Sequence, residues 1–169
     1  MTNTRSFFYA SLLVAALLTA GCFQVGSDKT VLQLDNGNGK SISLTKDDLT
    51  KFRRSAIVAA NKEGETSRYE GVEMVEVLRT AGVPFGDELR REKMTSYVVV
   101  ESADGYKVSF TLAELDPDFS DKKVILATTR DGNALDEDEG PLRLIVPDET
   151  NRQARWVRSV AKVTVKSGD

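Results

Sequence analysis

Four arginines near the end of the chain have the residue type and spacing to bind an anion. They are Arg143, Arg152, Arg155 and Arg158. A guanidinium group binds phosphate or carboxylate through two parallel hydrogen bonds, so a cluster of such groups favours an anionic ligand. The chain also has 26 acidic residues, and pairing with these at the surface is the alternative. Trp156, which stands among these arginines, is more typical of a core anchor than of a stacking platform.

A run of four acidic residues, Asp136-Glu137-Asp138-Glu139, is the densest charge in the chain. It offers the oxygen ligands that Ca²⁺ prefers. Its spacing does not fit an EF-hand loop, because Leu135 stands at the fifth position counted from Asp131 and Asp136 stands at the sixth, where Gly is required. We therefore interpret the run as a solvated acidic loop.

The composition excludes several classes of chemistry. The chain of 169 residues has no His and one Cys, which excludes His-dependent triads, Cys-His pairs and most zinc sites. Ser109 accordingly has no base that could activate it as a nucleophile. The formal net charge of −3 provides no electrostatic basis for nucleic-acid binding. Length and a hydrophobic content of 40% indicate one compact globular domain.

The first residues predict export. Residues 1–21 contain one charged side chain, Arg5, and an apolar run over residues 7–20. As a helix this run would reach only ~21 Å, which is short of the ~30 Å hydrocarbon core of a bilayer, so it is typical of a cleaved signal peptide. Leu18-Thr19-Ala20-Gly21-Cys22 resembles a bacterial lipobox, with Thr19 where Leu is commonest, and predicts a lipid-modified Cys22. An ordinary signal peptide that is cleaved nearby is the alternative.

We therefore predict three segments: a lipoprotein signal peptide over residues 1–21, a tether over residues 22–29 and one domain over residues 30–166. A lone Cys in an exported protein has no intramolecular disulfide partner, and acylation explains its presence. The tether between Cys22 and the domain extends at most ~25 Å. The expected location is the cell envelope, lipid-anchored at the outer membrane or at the periplasmic face of the inner membrane.

The remaining pattern predicts more strands than helices. Alternating or apolar runs bounded by turn residues indicate strands over residues 30–34, 40–44, 55–60, 96–101, 106–111, 123–128, 142–146 and 160–165. Short helices are predicted after the cap residues Thr45 and Thr111, over residues 87–93, and over residues 72–79 with Arg68-Tyr69-Glu70-Gly71 as their lead-in. Residues 152–157 are predicted as a turn or short helix. The pattern predicts an α+β fold, a mixed β structure with short flanking helices, in which residues 123–128 form a central strand.

A series of segments recurs in the order known from one family. These segments are Tyr69-Glu70-Gly71-Val72, Ala81-Gly82-Val83-Pro84, Asp104-Gly105-Tyr106-Lys107-Val108-Ser109-Phe110, Val124-Ile125-Leu126-Ala127, Asp131-Gly132-Asn133-Ala134-Leu135, Gly140-Pro141-Leu142-Arg143-Leu144-Ile145-Val146-Pro147 and Arg155-Trp156-Val157. Together they resemble the molybdopterin-binding domain of the sulfite oxidase family, in its short stand-alone bacterial form. The resemblance covers about residues 30–165 and implies the α+β fold of that family.

The resemblance also implies roles for individual residues. Tyr106 matches the tyrosine at the family's molybdenum centre, and Arg143 and Arg155 lie in segments that line the pterin and its phosphate. The family's molybdenum-ligating Cys has no counterpart, since Ala59-Ala60-Asn61 is the nearest match to the Cys-Ala-Gly-Asn-like stretch. The family's His before Gly-Pro-Leu-Arg is replaced by Glu139.

Three functional hypotheses follow. The leading one is a cell-envelope lipoprotein whose molybdopterin-binding-like domain serves as a non-catalytic binding or accessory module; in it no cofactor is expected, although molybdopterin is possible. The alternative is a molybdopterin-dependent oxidoreductase with non-thiolate molybdenum ligation. The third is an interaction protein that reuses the scaffold. The expected partners are a membrane, through the lipid anchor, and an envelope protein, and no nucleic acid is expected.

Overall fold

The computed structural model describes residues 29–61, 63–147, 149 and 153–168. The predicted signal peptide, Cys22 and Arg152 lie outside these residues. Ten strands occur in the described part of the chain: β1 (Thr30–Asp35), β2 (Ser41–Thr45), β3 (Arg54–Ala60), β4 (Thr66–Glu73), β5 (Tyr97–Ser102), β6 (Lys107–Thr111), β7 (Ile125–Arg130), β8 (Asn133–Ala134), β9 (Arg143–Ile145) and β10 (Val160–Lys166). The α-helices are α1 (Lys46–Thr50), α2 (Met74–Thr80) and α3 (Leu112–Leu115), and 3₁₀ helices cover Gly86–Glu88 and Arg91–Thr95.

The first sheet has the order β2-β1-β10-β5-β6. β10 runs parallel to β1 and antiparallel to β5, and the other pairs are antiparallel. The last strand of the chain thus occupies the centre of the sheet, where Val160, Val163 and Val165 are buried. Both predicted hairpins, β1–β2 and β5–β6, are confirmed.

The second sheet has the order β3-β4-β7-β8, and β9 also pairs with β7. All of its pairs are antiparallel. The predicted central position of the strand around residues 123–128 is confirmed, since β7 pairs with β4, β8 and β9. Buried side chains of both sheets join in one hydrophobic cluster, and the mixed β structure with short helices is the fold that the sequence predicts.

The sequence-based helix over residues 72–79 begins too early. Residues 66–73 form β4, which pairs with β3 on one side and β7 on the other, and α2 begins only at Met74. Hydrogen-bonding partners on both sides, which are remote in sequence, override the helical spacing of the apolar residues. A Cβ at Gly71 would lie 1.9 Å from the carbonyl oxygen of Leu126, so this glycine lets two strands approach closely.

The predicted helix over residues 87–93 is also wrong, because two 3₁₀ helices stand in its place. Arg91 has a φ of 54°, which no continuous right-handed helix accommodates. The two predicted caps are present. Asp48 donates its backbone N–H to Thr45 Oγ1 at 3.1 Å, and Glu114 donates to Thr111 Oγ1 at 3.1 Å.

The segment before β10 connects the two sheets. Leu144 of β9 donates its N–H to Val157 O, and Val160 of β10 donates to Leu142 O, both at 2.8 Å. These bonds fix residues 153–159 between the sheets. None of the helices that the structure describes has the length and apolar character needed to cross a membrane.

Candidate functional site

A polar cavity of about 590 Å³ lies where the hairpin β3–β4, strand β7 and the segment 153–158 meet. Among its lining groups are three guanidinium groups, of Arg130, Arg143 and Arg158, and four carboxylates, of Glu63, Glu65, Asp131 and Glu139. We call this cavity the Arg143 pocket. Its volume is within the range of small-molecule sites, but such sites are mostly apolar and this lining is mainly polar and charged.

Arg143 is a buried cation that contacts two aromatic rings. It stands on β9 with 6% of its surface exposed. Its guanidinium carbon lies 5.6 Å from the ring centre of Tyr69 and 5.5 Å from that of Trp156, and the two rings meet edge to face at 5.7 Å. Such contacts favour a desolvated guanidinium group. Within the described part of the chain, Arg143 Nε is buried and has no hydrogen-bond partner.

Glu139 joins Arg143 to a second arginine. The carboxylate is buried, with 6% of the residue exposed, and accepts a hydrogen bond from Arg143 Nη1. Arg130 Nη1 donates to the two oxygens of Glu139 at 3.0 and 3.1 Å. Burial by itself would lower the pKa of Arg130, but the charge of Glu139, together with interactions with Tyr69 and Asp136, raises this pKa above its ordinary value. The carboxylate of Glu139 thus pairs with both arginines, and Arg130 also pairs with Asp136 at 3.6 Å.

The other two predicted cofactor residues lie outside the lining of this pocket. Tyr106 is 50% exposed, and its hydroxyl donates to Ala154 O at 2.6 Å. Arg155 donates to Glu149 and, from Nη1 at 2.9 Å, to Glu114. Tyr106 thus contacts the residue before Arg155, and of the three predicted cofactor residues only Arg143 lines the pocket.

Arg155 is held by more than its ion pairs. Its guanidinium carbon lies 4.5 Å from the ring centre of Phe110. Burial alone would lower the pKa of Arg155, but hydrogen bonds to Glu149 and Glu114 raise it. Of the other predicted arginines, Arg158 lines the pocket and is exposed, and no described residue offers it a hydrogen bond or ion pair.

Two predictions on single groups have clear outcomes. Trp156 is a core anchor, as expected: it is 6% exposed, and its Nε1 donates to Val146 O at 2.7 Å. The solvated acidic loop is confirmed at residues 136–138, which are exposed, but is wrong at Glu139, which is buried. No described group of three or more acidic, His or Cys residues could hold a metal ion.

Sequence reasoning missed Arg130 and Tyr69 as pocket residues. Both lie on the strand pair β4–β7, where Tyr69 stands opposite Arg130. Alternation within each strand could indicate which side chains share a face, but the register between the two strands is a tertiary property. The sequence provided one usable signal, the acidic Glu139 immediately before Gly140-Pro141 and a buried strand.

Comparison with known proteins identifies the fold. Residues 23–168 match the family model of the oxidoreductase molybdopterin binding domain. The chain belongs to this family. A similar solved structure is the sulfane dehydrogenase SoxCD from Paracoccus pantotrophus, with a TM-score of 0.64 and 21% identity over 83% of this chain and 39% of that chain. The present chain therefore spans well under half of that chain, and no curated protein matches it in sequence.

Within this molybdopterin-binding family fold, the stretch Ala59-Ala60-Asn61, which is the nearest match to the family's Cys-Ala-Gly-Asn-like stretch, borders the Arg143 pocket. Ala59 on β3 is 5% exposed and pairs with Ser67 on β4, which lines the pocket. Asn61 lines the pocket as well, and Gln153 donates its side-chain N–H to Ala60 O. The Ala59-Ala60-Asn61 stretch thus contributes to one wall of the cavity.

Proposed function

We propose that this chain is a cell-envelope lipoprotein whose molybdopterin-binding-family domain acts as a binding or accessory module without molybdenum–thiolate redox catalysis. The observation that supports the proposal is the Ala59-Ala60-Asn61 stretch beside the Arg143 pocket, which offers no thiolate where the resemblance matches the family's Cys-containing stretch. Molybdenum recruits soft ligands, and an alanine side chain has no atom that can ligate a metal.

The other chemical groups that line the pocket also support a module without molybdenum–thiolate catalysis. Its described lining contains carboxylate, guanidinium, amide and hydroxyl groups, together with the Tyr69 and Trp156 rings, and no thiol or imidazole. Residues 23–169 contain neither Cys nor His. The pocket therefore suits a polar organic ligand and does not fit a thiolate-ligated molybdenum cofactor.

Elemental analysis for molybdenum together with pterin fluorescence tests this proposal. The full chain would be expressed in a host that makes molybdopterin, purified and compared with Ala59→Cys, which introduces a thiol at a buried position beside the pocket-lining Ser67. Ala56→Cys is the matched control, because it introduces the same thiol at an exposed position of the same strand. We expect neither molybdenum nor pterin in the wild type, and any gain confined to Ala59→Cys. Stoichiometric molybdenum in the wild type would contradict the proposal and establish the oxidoreductase with non-thiolate ligation.

Membrane anchoring rests on the lipobox-like sequence that ends at Cys22. The first described strand begins at Thr30, so an acylated Cys22 would hold the domain within ~25 Å of the membrane surface. Metabolic labelling with a fatty acid should mark the wild type and not Cys22→Ser. Equal labelling of the two proteins would exclude acylation at this residue.

An accessory role also requires a protein partner in the envelope. Crosslinking in intact membranes should recover an envelope protein with the wild type and less of it with Cys22→Ser, since an unanchored domain has a lower local concentration at the membrane. Failure to enrich any envelope protein would contradict the accessory role.

A further inference from the structure

Glu139 lies where the two inner guanidinium groups of the Arg143 pocket meet. Its side chain is 8% exposed, and that of Arg143 is 7% exposed. Both carboxylate oxygens are engaged, since Oε1 accepts from Arg143 and from Arg130, and Oε2 accepts from Arg130. A carboxylate in this position has the same contacts that an anionic ligand would make with two arginines.

The backbone holds this carboxylate in place. Glu139 donates its N–H to the side chain of Asp136 at 3.0 Å, and Gly140 donates to Asp136 O at 2.8 Å. Ser159 donates its N–H to Glu139 O at 2.9 Å. Hydrogen bonds within the acidic loop and to the segment before β10 therefore fix the backbone of Glu139, and its carboxylate lies in the cavity.

We propose that Glu139 is a built-in counter-ion that occupies the anion-binding position of Arg130 and Arg143 and thereby closes the pocket to phosphate-bearing ligands. The charge count of the cavity agrees with this. Four carboxylates and three guanidinium groups are among the described lining residues, so the lining does not offer an excess of cationic groups to an anion. An external phosphate would have to displace Glu139 and to meet three further carboxylates.

Removal of a buried counter-ion provides the physical test. Without Glu139, the buried guanidinium group of Arg143 would have no ion-pair partner among the described residues, which is strongly unfavourable. Arg130 is partly exposed and would keep its ion pair with Asp136. Glu139→Ala would also leave a space the size of the deleted carboxymethyl arm. We expect formate, a small carboxylate, to bind there and to restore stability.

The experiment compares melting temperatures of the full chain in sodium formate and in sodium chloride at equal ionic strength. For Glu139→Ala we expect formate to raise the melting temperature by about 4 °C at roughly ten times its dissociation constant. Glu137→Ala is the matched control, because Glu137 lies in the same loop and is exposed. Neither this control nor the wild type should respond to formate beyond the effect of chloride.

Equal responses of Glu139→Ala and Glu137→Ala to formate would overturn the proposal. If Glu139→Ala does not fold in either salt, Glu139→Gln keeps the side-chain volume and removes the charge. The proposal then requires Arg143→Met to recover part of the melting temperature lost in Glu139→Gln, because the uncompensated cation is gone. Additive losses in the double variant would refute it.

The counter-ion role of Glu139 and the proposed function can fail separately. Molybdenum in the wild-type protein would refute the non-redox module, whereas a formate response of Glu139→Ala would still identify Glu139 as the internal counter-ion. Conversely, a protein without molybdenum whose Glu139→Ala variant ignores formate would keep the proposed function and lose the counter-ion.

Discussion

Gly71→Ala should separate the two strands that carry the Arg143 pocket. Gly71 lies in β4 between Ser55 of β3 and Ala127 of β7. A Cβ at this position would lie 1.9 Å from Leu126 O and 2.6 Å from Ala127 Cα. These are backbone atoms of a paired strand, so no side-chain rotation can relieve the clash.

The magnitude follows from the displacement that is needed. To reach an ordinary contact, the added Cβ has to move by more than about 1 Å relative to β7, which breaks or lengthens about two ladder bonds worth ~1 kcal/mol each. Overpacking adds a destabilisation of about 1–3 kcal/mol. The alanine variant has a smaller conformational entropy in the unfolded state, which offsets up to about 1 kcal/mol of this loss. We expect a loss of about 3 kcal/mol in the free energy of unfolding and a melting temperature about 10 °C lower.

Urea unfolding followed by tryptophan fluorescence measures this loss, since the chain has one Trp and Trp156 is buried in the pocket wall. Gly105→Ala is the matched control. Gly105 has a φ of 89° and no neighbour within 4 Å of an added Cβ, so its cost of about 1 kcal/mol arises from backbone conformation alone. A Gly71→Ala protein that loses no more stability than Gly105→Ala would refute the steric argument.

Two further predictions concern charge. Hydrogen bonds from Lys51 and from the helix cap lower the pKa of Asp48 well below its ordinary value of 3.8. The ionised Asp48 carboxylate therefore stabilises the folded state above that ordinary value, and this contribution is lost as the pH falls through the lowered pKa. In thermal melts, Asp48→Asn should therefore be least stable relative to the wild type above about pH 5, and the two proteins should converge in stability as the pH falls below about 4. Asp47→Asn is the control. Equal pH profiles for the two variants would contradict the cap assignment. Arg155→Ala should lower the free energy of unfolding by about 1–2 kcal/mol, because it removes two ion pairs and a ring contact. Arg158→Ala, the control, should lower it by less than about 0.5 kcal/mol. Equal losses in chemical denaturation would show that the Arg155 contacts contribute nothing.

Local chemistry determines much of the fold. The turn residues 35–39 and 104–105 predict both hairpins, and the side chain of Thr45 predicts the start of α1, because turns and caps depend on residues close in sequence. The helix predicted over residues 72–79 fails where β4 finds partners on two strands remote in sequence. The apolar spacing there fits a helix, but the hydrogen bonds of a sheet decide the conformation.

The chemical groups of the candidate site follow from the sequence, whereas their arrangement follows from the tertiary structure. The sequence by itself determined the types of group present: no His, one Cys at a lipobox-like position, and arginines that could bind an anion. Only the tertiary structure decided which of these groups meet. Arg143 and Glu139 are buried together and Glu139 also pairs with the partly exposed Arg130, while Arg155 pairs elsewhere. Strand register and the path of the acidic loop decide this, because both arise from long-range packing. A sequence therefore shows which charges exist, and the fold decides which of them neutralise each other.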